Sequence, residues 1–164
     1  AYEVAVHKTA SYTTIGPLTA GAALAGARDK DIQYLGQIAL PLGVAFQFRD
    51  DLLGTFGNMD ATGKPSDSDI REGKRTALME EAKAKADRYQ MKQIEERWGR
   101  RDATDEEVQE VREILVKCGA KAALEQHVQE MAREFAAGLP LEHHAPVSKC
   151  FISQVAAYIS ERNA

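Results

Sequence analysis

Apolar residues recur along most of the chain with the spacing of amphipathic helices. Between Ile32 and Phe56 they return every three or four positions, which predicts one long helix. The pattern contains no hairpin signal and no internal repeat, so it predicts an all-α fold of antiparallel helices joined by short loops. Further helices are predicted over about 75–99, 105–118, 120–138 and 146–162.

Glycine, proline and polar clusters predict where the helices end. Residues 15–17, Ile-Gly-Pro, predict a turn or kink, because proline donates no backbone hydrogen bond and disfavours helix in the residue before it. The small apolar residues 18–27 predict a buried packing helix. Gly54 and Gly57 predict the end of the long helix. The polar stretch 58–74 predicts a loop, and loops of this length are often functional.

Composition agrees with the helical pattern and excludes some classes of function. The chain has 164 residues, only 7% of them aromatic, and a net charge of −4. Abundant alanine favours helix over strand, and the negative balance excludes a general nucleic-acid binder. No apolar run approaches the roughly 20 residues of a membrane span. Cys118 and Cys150 have no metal-ligand spacing and predict two reduced core residues in a cytoplasmic protein.

Candidate chemistry is concentrated between Gly43 and Arg75. Asp50 and Asp51 stand near the end of the apolar helix, with Gln47 one turn before them on the same face. Two adjacent carboxylates cannot both be buried without partners. Either solvent or a divalent cation satisfies them, and Mg²⁺ prefers such oxygen ligands and is commonly completed by substrate phosphates.

Lysines surround the acidic pair in the sequence. Lys64 and Lys74 flank the acids of the following loop, and Lys8 with Thr9 forms a cation-plus-hydroxyl pair upstream. Lysine supplies a point charge to phosphate. The alternative is a solvated loop of mixed charge and a lysine that extends to solvent.

Three motifs follow one another in a defined order, and together they resemble one family. They are His7-Lys8-Thr9-Ala10, then Phe46-Gln47-Phe48-Arg49-Asp50-Asp51-Leu52-Leu53-Gly54, and then Gly63-Lys64-Pro65 with Asp69 and Arg71-Glu72-Gly73-Lys74-Arg75-Thr76. They resemble the KT motif and the second aspartate-rich region, FQxxDDxLD…GKxxxxDxxxxK, of trans-isoprenyl diphosphate synthases. The residues within these motifs are most similar to those of bacterial geranylgeranyl and longer-chain polyprenyl diphosphate synthases.

The resemblance implies an isoprenoid synthase helix bundle and a Mg²⁺-dependent prenyltransferase of isoprenoid biosynthesis. Its substrates would be an allylic prenyl diphosphate and isopentenyl diphosphate. Asp50 would ligate Mg²⁺ directly and Asp51 through water. Six residues of the three motifs would bind substrate, and three of these six would also assist catalysis. The substrate-binding residues are Lys8, Thr9, Phe46, Gln47, Lys64 and Lys74; the catalytic ones are Lys8, Thr9 and Gln47.

The chain departs from the family pattern in two ways. Gly54 stands where many members have the third aspartate of the second region, although DDxLG forms also occur. The first motif, DDxx(xx)D, and the GKxxR motif are absent from residues 1–164. We therefore expect these residues to be the C-terminal portion of a single synthase domain, inactive alone.

This incomplete domain is expected to form a homodimer or to pair with a missing N-terminal half. A chain that begins inside a predicted helix without methionine fits part of a longer or processed protein. Two alternatives stay open, a non-catalytic helical partner subunit and a terpene cyclase of the same fold.

Overall fold

The structure, a computed structural model, describes residues 1–57, 67–139 and 146–161, and all regular structure in these ranges is helical. This confirms the all-α prediction. The elements are α1 (Tyr2–Ala5), a π-helical segment (Val6–Ile15), α2 (Gly16–Leu24), α3 (Asp29–Phe56), α4 (Ser68–Glu72), α5 (Ala77–Lys85), α6 (Arg88–Glu95), α7 (Asp105–Lys117), α8 (Ala120–Gly138) and α9 (Pro146–Glu161). None of the helices in these ranges is both long and apolar enough to cross a bilayer.

The chain forms two compact units. The first consists mainly of Asp50–Gln126, and the second of Tyr2–Arg49 with His127–Arg162. Helix α3 belongs to both, because the division falls between Arg49 and Asp50. The assignment of residues 1–164 to one synthase domain stays a prediction.

The helix continues through residues 15–17, so the predicted turn is wrong there, and the alternative of a kink stays a prediction. Val6–Ile15 is π-helical, and the N–H of Gly16 donates to the carbonyl of Ser11, five residues back. Pro17 is the second residue of α2, directly after this wider turn. The wider turn thus accommodates the sequence that a regular α-helix would exclude.

Helix α2 is not the buried packing helix that its small apolar residues predict. None of its residues is buried, and Leu24 is 91% exposed. The described helices leave it uncovered, so its composition alone was a poor guide to burial.

In the unit Asp50–Gln126, the predicted helix over 75–99 is two helices, α5 and α6. The chain is extended at Ala86, and Asp87 begins α6 with a capping box to Gln90. The sequence Thr104-Asp105-Glu106-Glu107 predicts a capping box at the start of α7. The structure confirms it, with backbone-to-side-chain distances of 3.2 and 2.8 Å between Thr104 and Glu107. Within the predicted loop 58–74, the short helix α4 occupies Ser68–Glu72, while residues 58–66 lie outside the described residues.

The core of this unit is formed by aliphatic side chains that repeat along α5 to α8. Its fully buried members include Leu78, Ile94, Val108, Val111, Leu115 and Leu124. Both cysteines are free, as predicted, but only Cys118 is partly buried. Cys150 is exposed on α9, so its prediction as a core residue is wrong.

Candidate functional site

The acidic pair lies in the last two turns of α3, and its second member is held by another helix. Asp51 is 7% exposed, and its Oδ2 accepts a hydrogen bond from the backbone N–H of Ala77 at 2.8 Å. Ala77 opens α5, so the carboxylate lies where the helix dipole favours negative charge. Asp51 therefore connects the end of α3 to the start of α5, whereas Asp50 is only half-buried.

Gly54, one turn beyond Asp50, makes room for the carboxylate of another residue. A Cβ atom at position 54 would lie 2.2 Å from Oδ2 and 2.5 Å from Cγ of Asp69. Asp69 belongs to α4 and is only 5% exposed. Because residues four apart on a helix are about 6 Å apart at their Cβ atoms, the Asp69 carboxylate lies beside the face that carries Asp50.

Asp69 is paired with a lysine of the same motif. Lys74 Nζ lies 2.5 Å from Asp69 Oδ1 and 3.4 Å from Glu72 Oε2. The hydrogen bond to Asp69 is the main cause that raises the pKa of Lys74, although burial opposes it. The lysine is therefore a stable cation, and about half of its side chain remains accessible to a ligand.

Arg71 fastens α4 to the beginning of α7. Its guanidinium contacts the carboxylate of Asp67 and the carbonyl of Ala103, and its Nη2 lies 2.7 Å from Asp105 Oδ1. The hydrogen bond to Asp67 is the main cause that raises the pKa of Arg71. Each of these contacts is structural, so Arg71 supports the loop rather than offering a cation to a ligand.

In the other unit, the π-helical segment brings a predicted pair of site residues together. Thr9 is 6% exposed, and its hydroxyl donates to Gln47 Oε1 at 2.5 Å. Lys8 is exposed, and Phe46 is half-buried. π-helical turns are frequent at functional sites, and here the turn carries both residues of the KT motif.

A glycine on α3 determines how closely the π-helical segment approaches. A Cβ atom at Gly43 would lie 2.5 Å from the Cα of Ala10 and 2.4 Å from Thr14 Oγ1. The Thr14 hydroxyl lies 3.0 Å from the carbonyl oxygen of Ala10 and 3.3 Å from that of Ala39. The two backbones are thus in direct contact one turn before Gln47.

The family model described as polyprenyl synthetase matches residues 2–115. The chain belongs to the polyprenyl synthetase family. This establishes the trans-isoprenyl diphosphate synthase resemblance that the three motifs indicate.

Curated relatives of this polyprenyl synthetase chain include enzymes with long prenyl products. The geranylfarnesyl diphosphate synthase of Aeropyrum pernix is 33% identical over 145 residues, which covers 87% of this chain and 44% of the relative. The geranylgeranyl diphosphate synthase of Saccharolobus solfataricus is 30% identical over 137 residues, which covers 82% of this chain and 40% of the relative. The chain thus spans less than half the length of these relatives.

Solved structures of the family have the same fold. The geranylgeranyl pyrophosphate synthase of Corynebacterium glutamicum, complexed with isoprenyl diphosphate and magnesium, superposes with a TM-score of 0.86 at 31% identity. The superposition covers 99% of this chain and 46% of that protein. A Caulobacter crescentus polyprenyl synthase with calcium and isoprenyl diphosphate has a TM-score of 0.88 at 29% identity, with coverages of 99% and 49%.

The structure places the predicted site residues of this polyprenyl synthetase chain in two groups. Lys8, Thr9, Phe46 and Gln47 belong to one unit, and Asp50, Asp51 and Lys74 to the other. Lys64 lies outside the described residues. Within residues 1–57, 67–139 and 146–161, no three acids, histidines or cysteines are arranged to hold a metal ion by themselves.

Asp69 belongs to the third motif of the sequence, but it was not among the predicted metal or substrate ligands. The available signal was the glycine at position 54, since a glycine inside a helix often marks the close approach of another group.

Proposed function

We propose that the protein containing this chain is a prenyltransferase that joins isopentenyl diphosphate to an allylic diphosphate. The product is a longer trans-prenyl diphosphate of geranylgeranyl length or more. Family membership supports the reaction class, and the names of the relatives support the product class. The observation that carries the proposal is the cluster at the end of α3. There Asp50, the buried carboxylate of Asp69 and the cation of Lys74 lie within one unit.

The donor atoms at this end of α3 fit Mg²⁺. Asp50 and Asp69 offer hard carboxylate oxygens, and Mg²⁺ is usually held by one or two carboxylates, several waters and substrate phosphates. Asp50 would be the direct ligand, with Asp69 beside it and Asp51 acting through water. Bound Mg²⁺ would neutralise the negative charge that develops on the departing diphosphate. The magnesium in the Corynebacterium glutamicum complex supports this choice of ion.

The lysines of this chain would hold the allylic diphosphate. Lys74 offers a half-exposed ammonium whose charge is stabilised by Asp69. Lys8 is exposed on the π-helical segment, and Lys64 completes the set by its place in the motif. These cations favour breaking of the allylic carbon–oxygen bond, because they stabilise the anion that leaves.

The Thr9–Gln47 pair would face the reacting carbons. Once the allylic carbon–oxygen bond breaks, the double bond of isopentenyl diphosphate attacks the allylic cation and a proton is then lost. The oxygen atoms of Thr9 and Gln47 stabilise the positive charge and guide the loss of that proton, and Phe46 lines the apolar cavity. An apolar, water-free cavity protects the cation from hydrolysis.

Residues 1–164 would be the C-terminal portion of the synthase domain. The chain spans less than half of its relatives, and the sequence lacks the first aspartate-rich motif. We expect this portion to be inactive alone and to act in the cytoplasm as part of a longer chain, as a homodimer, or paired with the other half.

An elongation assay of the full-length protein tests the proposal. With isopentenyl and farnesyl diphosphates and Mg²⁺, we expect a longer prenyl diphosphate, and chelation of the metal should abolish it. A cyclised hydrocarbon would identify a terpene cyclase instead. No product without a second synthase chain would identify a partner subunit, and either result overturns the proposal.

A further inference from the structure

A corner after α6 holds the backbone of Lys74 from outside its motif. The indole Nε1 of Trp98 donates to the carbonyl oxygen of Lys74 at 3.1 Å. On its other side, the N–H of Lys74 donates to the carbonyl of Asp69 at 3.1 Å. Both polar groups of the Lys74 backbone are therefore bound, although half of its side chain is exposed.

The residue after Trp98 closes the same corner through a contact between two glycine backbones. Gly73 and Gly99 both have positive φ angles, of 66° and 89°. A Cβ atom at Gly73 would lie 2.8 Å from the Cα of Gly99, so no side chain fits between them. The N–H of Gly99 also donates to the carbonyl of Ile70 at 2.7 Å, which binds the corner to the last turn of α4.

These contacts hold the backbone at and beside Lys74, from which its side chain extends. A free lysine side chain loses rotamer entropy when a ligand holds it, and a mobile backbone would add to the freedom that the ligand must remove. Trp98 and Gly99 restrict the backbone around Lys74 before any ligand binds, so binding does not have to remove that freedom. The salt bridge to Asp69 then directs the ammonium toward the acidic end of α3.

We propose that Trp98 and Gly99 are positioning residues that hold Lys74 ready to grip a diphosphate group. The inference rests on the proposed role of Lys74 as a diphosphate ligand and adds residues that lie outside every motif of the sequence. Trp98 is 24 residues from Lys74 along the chain and reaches it only in the folded structure.

The test is a double-mutant cycle on the binding of inorganic pyrophosphate with Mg²⁺ to the full-length protein, measured by titration calorimetry. Lys74→Met should weaken binding at least tenfold. Trp98→Phe, which keeps an aromatic ring and loses the N–H donor, should weaken it about threefold to tenfold. In the Lys74→Met background, Trp98→Phe should have no further effect, because the residue acts through Lys74.

Two further variants separate positioning from general stability. Trp98→His keeps a ring N–H and should restore part of the affinity lost in Trp98→Phe. Tyr89→Phe removes an exposed aromatic hydroxyl of α6 that bonds Gln93 on the same helix, and it should leave affinity unchanged. If Trp98→Phe does not fold, Trp98→Leu, which also has no side-chain donor, replaces it in the cycle.

The outcomes distinguish this inference from the proposed function. Normal affinity in Trp98→Phe together with a loss in Lys74→Met overturns the positioning role alone. Normal affinity in Lys74→Met overturns the ligand role of Lys74 and the positioning role with it. An equal loss for Trp98→Phe with and without Lys74 shows that Trp98 acts elsewhere, and it also overturns the inference.

Discussion

Gly43 and Gly54 lie three turns apart on α3, and both leave no room for a Cβ atom, but different groups fill the space. At Gly43, in the unit Tyr2–Arg49, the missing Cβ would meet the buried Thr14 hydroxyl at 2.4 Å and both Cα and Cβ of Ala10 at 2.5 Å. At Gly54, in the unit Asp50–Gln126, the missing Cβ would meet the carboxylate of Asp69 at 2.2 Å. One glycine brings two backbones together, and the other admits a charge.

The difference lies in what each neighbour is able to do if a side chain is added. A backbone atom moves only with its whole helix, so Gly43 determines the separation of the π-helical segment from α3 and hence the Thr9–Gln47 hydrogen bond. A carboxylate rotates about its own side-chain bonds, so Gly54 affects where a charge lies and less how the helices pack. We therefore expect the first to govern stability and the second to govern ligand binding.

The largest expected effect tests whether the residues around Gly54, at the end of α3, take part in catalysis. Asp50→Ala should lower turnover of the full-length protein at least about a hundredfold, because it removes a ligand that acts on the leaving diphosphate. Steady-state kinetics with varied Mg²⁺ measure it. Asp102→Ala, at an exposed aspartate paired with Arg100, is the matched control and should leave turnover unchanged. Unchanged turnover in Asp50→Ala would show that Asp50 does not bind the metal.

The next effect tests the backbone contact at Gly43. Gly43→Ala should destabilise the protein by about 1–3 kcal/mol in urea unfolding, because overpacking exceeds the gain in helix propensity. Gly36→Ala on the same helix is the control. Among the described residues, its Cβ would meet Thr19 Cγ2 at 3.5 Å and Ile15 Cγ2 at 3.7 Å, which are ordinary contact distances, so stability should be unchanged or up to about 1 kcal/mol higher. Equal effects of the two variants would refute a special role of Gly43.

A smaller effect tests the movable neighbour of Gly54. Gly54→Ala should cost about 1 kcal/mol, because the Asp69 carboxylate has to rotate away and weaken its bond to Lys74. In the Asp69→Ala background this cost should disappear. Unfolding of the two single variants and the double variant measures the coupling. Additive energies would mean that the methyl group added at position 54 meets something other than Asp69.

The smallest effect concerns the hydroxyl that bridges the two backbones near Gly43. Thr14→Val removes it from the carbonyls of Ala10 and Ala39 at nearly constant shape, and we expect a loss of about 0.5 kcal/mol. Thr19→Val is the control, because the Thr19 hydroxyl bonds its own helical stretch, at Ile15 and Gly16. The difference in unfolding free energy between the two variants measures the bridge, and no difference would mean that it contributes nothing.

The sequence pattern correctly predicts features that are determined by a short stretch of residues. The Thr104–Glu107 capping box, the long helix with Asp50 near its end, and the all-α class depend on residues within a turn or two of one another. The break between α5 and α6 had the same kind of local signal, Asp87 followed by Gln90, but the apolar spacing across it predicted one helix.

The sequence pattern did not predict features that depend on contacts between elements distant in the sequence. The sequence predicts a turn or kink at residues 15–17, because the local weakness of Gly16 and Pro17 does not show that α3 supports the π-helical turn before them. Burial of α2 was predicted from composition, but burial depends on what covers a surface. Trp98 carried no signal at all, since its partner is the Lys74 carbonyl, a group that every residue possesses.

The sequence by itself determined the all-α class, the order of the three motifs and the family, because each of these depends on residue type and spacing along the chain. Only the tertiary structure decided that Asp69 fills the space at Gly54 and that Ala10 meets Gly43. The same holds for the contact of Trp98 with Lys74. Such contacts join residues from separate elements, and a one-dimensional pattern contains no distance between elements.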